Sequence, residues 1–368
     1  MSKFDVIIVG GGIAGASLGA AIAGKCSTLI VEAEDQCGYH STGRSAAFYL
    51  ESYGGPDVAK LSRASHDFLD CPPASFSESG FLRTRGDLHI TKDELPTLPP
   101  GIDTRIVERA ELELLVPGIR PQWERALFEP GCADIDVASL HSAFLRRFRA
   151  TGGQVATSSR LTAARRSGES WIVDLADQRQ VIAPILVNAA GAWADPVALA
   201  CAVEPLGIAP KRRTMVQLRV GRSGLKELPL VDDSNGTFYF KGEGDRTLWL
   251  SPHDEIETGP CDAAPEEIDI ATAIDRFEQV VDWPIERVER SWAGLRSFAP
   301  DRLPVYGYDI DQPGFFWCVG QGGFGIQTSP AAASLAAALL LDDEFDPIIA
   351  TIDRETFSPR RLRAESRS

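Results

Sequence analysis

The stretch DVIIVGGGIAGASLGAAIAG, residues 5–24, constrains this chain more than any other. Val6 to Val9 are apolar without the alternation of a half-exposed strand, so they read as a strand buried on both faces. They run straight into Gly10-x-Gly12-x-x-Gly15 and a helix of small residues, and STLIVE then gives a second buried strand that ends in Glu32. Each position has a physical role. Gly10 permits the tight turn, Gly12 lets backbone N–H groups approach a pyrophosphate, and Gly15 allows close helix–strand packing. The helix start adds the positive end of its dipole, and Glu32 is placed to accept from a ribose hydroxyl. Gly10, Gly12, Ile13, Ala14, Gly15 and Glu32 are therefore candidate contacts to a dinucleotide, in an α/β fold of Rossmann type.

A nicotinamide enzyme needs little beyond this motif, whereas a flavin must be held along its whole length. Further glycine-rich segments lie far downstream. ILVNAAGAWAD is an apolar strand closing on Gly191, and FFWCVGQGGFGIQTSPAAAS is another, ending in Gly320, Gly322, Gly323 and Gly325 ahead of a helix. A helix start there would aim N–H groups at the negative charge that develops on a reduced flavin. These features favour FAD, with Gly191, Gly323, Gly325, Ile326 and Gln327 added to its candidate contacts. The loop GYHSTGRSAAFYLESYG, residues 38–54, has the small residues that let a backbone pass close to a cofactor.

Composition removes other classes of function. With 368 residues the chain suits two domains or one large α/β unit. A net charge of -15, from 37 Lys and Arg against 52 Asp and Glu, opposes binding to nucleic acid or to an anionic membrane. The first residues form too short an apolar run for a signal peptide, and AAASLAAALLL, residues 331–341, falls short of the roughly 20 residues of a membrane span. A soluble, cytoplasmic protein is expected. The seven cysteines are scattered without a CxxC pair, and no His-x-x-x-His spacing occurs, so neither a disulfide framework nor a helical metal site is implied.

Taken in order, GxGIAGAS, GYHSTGRSAA, ADID, VNAAGAWAD, PKRR, FYFK, WAGLRSF and GQGGFGIQTS resemble the D-amino-acid oxidase superfamily of FAD oxidoreductases, and within it the bacterial D-arginine dehydrogenase branch. The resemblance implies a discontinuous architecture: an FAD-binding domain from residues 1–45, 135–210 and 295–368, and a substrate domain from 46–134 and 211–294 built on an antiparallel sheet. RTRGDLHIT, RRTMVQLRV, GTFYFKG and DRTLWLS agree independently, since they read as alternating strands. ELPTLPPGID and PCDAAPEEIDI read as loops leading into helices.

The reaction that the resemblance implies is oxidative deamination of a D-amino acid. Hydride passes from Cα to non-covalently held FAD, the imine hydrolyses to a 2-oxo acid and ammonia, and a quinone or oxygen is the electron acceptor. A substrate carboxylate needs neutralising, and a planar guanidinium does this bidentately. By resemblance that role falls to Arg213, Tyr239 and Arg296; the bland alternatives are a solvated basic run for Arg213 and a solvent-facing strand position for Tyr239. Arg44, Ser45 and Ala46 would pass close to the flavin, and Tyr53 would ride on a mobile segment that closes over the substrate. Two departures bear on the side chain that is accepted. Phe48 stands where the related dehydrogenase has a His, and Asp87 where it has a Glu. Phe48 favours a large apolar side chain and Asp87 a basic one. Alternatives with the same fold are a glycine or sarcosine type of secondary amine oxidase and a 2-hydroxy-acid dehydrogenase; a non-catalytic FAD-binding protein is the alternative of another class.

Overall fold

The computed structural model describes residues 2–365. Its centre is a six-stranded sheet in the order Gln154–Ala156, Thr28–Val31, Val6–Val9, Ile185–Asn188, Phe315–Val319 and Val305–Tyr308. The first five strands are parallel and the last is antiparallel. Successive side chains of the central strand go to opposite cores. Val6 and Ile8 pack with the helices Ile13–Ile22, Val137–Ala150 and Ser329–Leu341, whereas Ile7 and Val9 pack with the small sheet that carries Trp171, Val173 and Val181. Burial on both faces explains why these strands are continuous apolar runs.

The turn after the first strand is held by two close approaches. Gly10 has φ +107°, and a Cβ on it would lie 2.4 Å from the carbonyl oxygen of Ala189. A Cβ on Gly15 would lie 2.0 Å from the carbonyl oxygen of Gly10. The three carboxyl-end turns after Val9, Asn188 and Val319 thereby open on one edge of the sheet, where ligands bind in such folds.

A second, nine-stranded sheet stands over this edge. Its path runs Ile256–Glu257, Ala209–Val220, Thr247–Ser251, Tyr239–Gly242, Leu230–Asp233, Asp87–Thr91, Arg125–Glu129 and Arg105–Glu108, and Ile285–Phe298 pairs with the other edge of Ala209–Val220. The alternating segments read from the sequence are its strands. One long strand, Ile285–Phe298, was not foreseen, because WAGLRSF carries a glycine and an arginine in place of clean alternation. ELPTLPPGID also leads first into the strand Arg105–Glu108 and only then into the helix Arg109–Leu115. Residues on the face toward the cleft include Arg213, Met215, Tyr239 and Asp232; Val216, Leu218, Phe240 and Val231 point the other way, into a separate core with the helix Glu267–Glu278. No helix among the described residues is long and apolar enough to cross a membrane.

Gly15→Ala forces a methyl group into backbone that cannot withdraw. It is expected to cost about 3 kcal/mol, at the upper end of ordinary overpacking, and to lower flavin retention, read as a reduced urea midpoint and a lower ratio of flavin to protein absorbance in the purified variant.

Candidate active site

A continuous cleft runs between the two sheets. At one end it is lined by Val31, Glu32 and Ala33, in the middle by Gly10, Gly12, Ile13, Ala14 and the 189–192 turn, and at the far end by Arg213, Met215, Tyr239, Arg296, Gly322 and Gly323. Glu32 is buried, and each of its oxygens accepts one backbone N–H, from Gly11 at 2.8 Å and from Glu34 at 3.0 Å. Lone pairs remain on both oxygens for a ribose hydroxyl.

The residues of the opening loop hold the cradle in shape. Thr42 Oγ1 accepts from the Ile13 N–H at 3.0 Å, so the loop is pinned to the first turn of the helix. His141 donates from Nε2 to the Gly11 carbonyl at 2.8 Å; burial pushes its pKa down and keeps the ring neutral. Neither residue was picked out from the sequence: each lies at a large separation from its partner, with no local signature. Arg44, Ser45 and Ala46 line the cleft as expected. The Arg44 side chain, however, is spent on Asp262 and on the carbonyls of Ala263 and Ala293.

The glycine-rich turn near the C-terminus differs from expectation in one respect. The helix begins at Ser329, after two irregular turns, and its Ala331 N–H donates to Ser65 Oγ at 3.1 Å in the interior. The groups that face the cleft therefore come from Gln321, Gly322, Gly323, Gly325 and Ile326. Gln327 does not join them. Its buried amide accepts from the Leu50 N–H and donates to the Leu50 carbonyl and Ser62, so it ties down the 46–54 segment.

At the far end the chemistry is cationic. Arg213 is only 4% exposed, which rules out the solvated basic run; its neighbour Arg212 turns the other way, to Glu266 and Asp269. The Arg213 Nε donates to the Asp254 carbonyl at 2.8 Å, and Nη2 lies 3.4 Å from Glu255, which Arg302 also holds at 3.0 Å. Its Nη1 is buried without a hydrogen-bond partner. Burial, reinforced by the Arg296 charge, brings the Arg213 pKa down to about 10, so the group stays charged at neutral pH. Arg296 donates from Nη1 to Tyr53 Oη at 2.8 Å, which leaves the Tyr53 proton free to be donated in turn. Gly323 makes room for both: a Cβ there would lie 2.5 Å from Tyr53 Oη and 2.8 Å from Arg296 Nη1. Tyr239 faces the cleft, not solvent, with its hydroxyl 3.1 Å from Met215 Sδ.

Tyr53 reaches the far end only through Arg296 and is not among the lining residues, and two further sequence-predicted substrate contacts stand elsewhere. Phe48 lies behind Tyr239, edge-on at 6.0 Å between ring centroids, and is not a lining residue. Asp87 is fully buried and faces His89 of its own strand, Nε2 to Oδ2 at 3.6 Å. The His89 ring stands at the place assigned to a cationic substrate. His253, missed in the sequence, adopts φ +55°, donates from Nδ1 to the Gly236 carbonyl at 2.6 Å and packs 5.8 Å from the Tyr239 ring. Burial, followed by the charges of Arg213 and Arg296, pushes its pKa down to about 3.

The model described as FAD dependent oxidoreductase, DAO, matches residues 5–339. The chain belongs to this family. Among relatives of the DAO family, FAD-dependent oxidoreductase domain-containing protein 1 of Xenopus laevis is 24% identical over 426 residues, covering 98% of this chain and 83% of the relative. The solved L-proline dehydrogenase from P. horikoshii superposes with a TM-score of 0.82 at 18% identity, covering 99% of both chains. Glycine oxidase from Geobacillus kaustophilus gives 0.79 at 20% identity, covering 96% of this chain and 98% of the other. At these identities the two structures establish the DAO-type fold. The protein is an FAD-dependent oxidoreductase, and the cleft fits the cofactor on its own terms. The turns where a Cβ would strike backbone suit the pyrophosphate, Glu32 suits the ribose, and the 321–326 turn suits the flavin ring.

A histidine that stays neutral when folded but protonates near pH 6.5 when unfolded makes the unfolded state the better proton acceptor between those values. Stability should therefore fall as pH drops from about 6.5 toward 3. Replacement of His253 by Gln is expected to flatten that acid-side fall in melting temperature, as measured by thermal unfolding across the range.

Proposed function

We propose that this DAO-family enzyme oxidises a D-amino acid with an apolar side chain to the 2-oxo acid and ammonia. The observation that carries the reading is the pair of cations, Arg213 and Arg296, lining one end of the cleft, with Arg213 Nη1 left without a partner. Two cations side by side, Arg213 buried and Arg296 half-buried, are costly, and a substrate carboxylate offsets that cost through charge-assisted hydrogen bonds. Arg213 and Arg296 take its oxygens, and Tyr53 adds a hydroxyl donor. Tyr239 and Met215 form the adjoining wall, whose apolar surface suits an aliphatic or aromatic side chain. A basic side chain loses support because Asp87 faces His89. The D configuration rests on the likeness of PKRR, FYFK and WAGLRSF to the D-arginine dehydrogenase branch.

When bound, FAD supplies the two-electron oxidant. The protein's part is to fix the carboxylate so that Cα is presented to it in one orientation. Among the described residues that line this end, none is a carboxylate or a histidine. The amine proton therefore leaves to water, and no side-chain base is assigned. The covering segment with Tyr53 keeps bulk water from the reacting carbon.

An anaerobic titration of the yellow protein with D-Leu, D-Phe, D-Arg, L-Leu, sarcosine and L-Pro, followed at the flavin band, tests the reading. Bleaching by D-Leu or D-Phe ahead of D-Arg is expected. Bleaching only by sarcosine or L-Pro reassigns the site to secondary amines, and bleaching by D-Arg above all restores the basic side chain. Arg296→Ala should raise KM about thirtyfold through loss of charged hydrogen bonds while FAD remains bound; unchanged KM removes Arg296 from the carboxylate site.

A further inference from the structure

Beside the cleft, on the same face of the upper sheet as Tyr239, lies a buried cluster that the reaction does not use. Asp87, His89, Glu129 and Asp232 come from three adjacent strands, and the first three are 0%, 5% and 2% exposed. Their register places them together: Asp87 is opposite Glu129, and His89 is opposite Asp232, which in turn is opposite Tyr239. Potential ligand atoms of Asp87, His89 and Asp232 lie within 4.8 Å of one another, the spacing of a cation site. The ring nitrogens speak for a different occupant. Nδ1 is 2.8 Å from Asp232, and Nε2 is 3.4 Å from Glu129 and 3.6 Å from Asp87. Carboxylate oxygens surround both nitrogens, of which Nε2 to Glu129 has hydrogen-bond geometry, and the three negative charges favour the ring as the cation. Burial opposes the charge, but Asp87 and Asp232 outweigh it and hold the His89 pKa up at about 12.

This hub reaches outward through Glu129. One carboxylate oxygen, Oε2, faces His89, and the other, Oε1, accepts from the backbone N–H of Glu51 at 3.1 Å and of Ser52 at 3.4 Å. The next residue is Tyr53, which meets Arg296. Leu50 is held from the other side by Gln327, and the segment ends in Gly54 and Gly55, with φ +100° and +83°. Two side chains thus fasten the backbone just before Tyr53, and two left-handed glycines follow it. A carboxylate accepting from two amides makes stronger bonds than neutral partners would, provided that its own charge is kept in place. His89 does that.

We infer that Glu129, held by the His89 imidazolium, is a positioning residue that keeps the 50–53 segment closed and so sets where Tyr53 meets the substrate carboxylate. The inference rests on the carboxylate reading of the Arg213 and Arg296 pocket for its second half only. Hydrogen exchange by mass spectrometry on the FAD-loaded protein tests the first half whatever the pocket binds. Glu129→Ala should speed exchange in the peptide containing Glu51 and Ser52 about tenfold through loss of the acceptor, with the Val6–Val9 strand unchanged. Unaltered exchange at those amides overturns the clamp. Glu129→Gln keeps the shape and an acceptor oxygen, guards against a misfolded Ala variant, and should give a smaller acceleration; no acceleration overturns the role of charge.

The link to substrate is read with benzoate, titrated into the holoenzyme and followed by flavin absorbance. Glu129→Ala and Tyr53→Phe should each weaken its binding about fivefold, and the double variant no further than either alone, as a shared pathway requires. Additive losses overturn the route through Tyr53. A wild-type protein that binds no benzoate overturns the carboxylate reading of the pocket, and the exchange result then decides the clamp by itself.

Discussion

Arg213 and Arg296 share one wall of the cleft, and their mutual repulsion is the condition that the surrounding structure is arranged to hold. Left in water, the two guanidinium groups would separate. Here the backbone of Asp254 and the carboxylate of Glu255 fix Arg213, and Tyr53 takes a donor of Arg296. The compensation is incomplete: one Arg213 nitrogen, Nη1, is left without a partner. On the carboxylate reading proposed above, a site prepared in this way needs no rearrangement to bind an anion, so less of the binding free energy is spent on ordering.

The glycine-rich turns do the complementary work. Where a Cβ would collide with a backbone oxygen, as at Gly10 and Gly15, the sequence has no alternative residue, and three strand ends are drawn to a common edge. The upper sheet then needs only to present one face to that edge. Its period of two makes this economical: Arg213, Met215 and Tyr239 face the cleft while Arg212, Val216 and Phe240 do not.

That division explains what could be read without coordinates. Buried strands and glycine turns are local patterns, so the first strand, the cradle residues and Glu32 were legible directly. Arg213, Tyr239 and Arg296 were legible only by likeness to a family, because a basic run or a strand tyrosine has an equally good solvent-facing reading. Thr42, His141, His253 and Glu129 were not legible at all. Each acts through a partner distant in sequence, and none has a spacing that marks it. Asp87 differs: its partner, His89, is two residues away in the same strand, and the two side chains share a face of the pleat. The long strand Ile285–Phe298 was hidden by the glycine and arginine that give it its function.

That strand also limits how the molecule can adapt. It pairs with Ala209–Val220 along nearly its full length, carries Arg296 near its end, and bridges from Ser297 to Gly322 in the turn beneath. It therefore works as a ruler between the two sheets, with Arg296 at a fixed mark. Sliding or hinging the upper sheet would tear that ladder before it enlarged the pocket. Room for a bulkier ligand must come from residues 46–54, so one short loop can be rewritten while the mark set by Arg296 stays where it is.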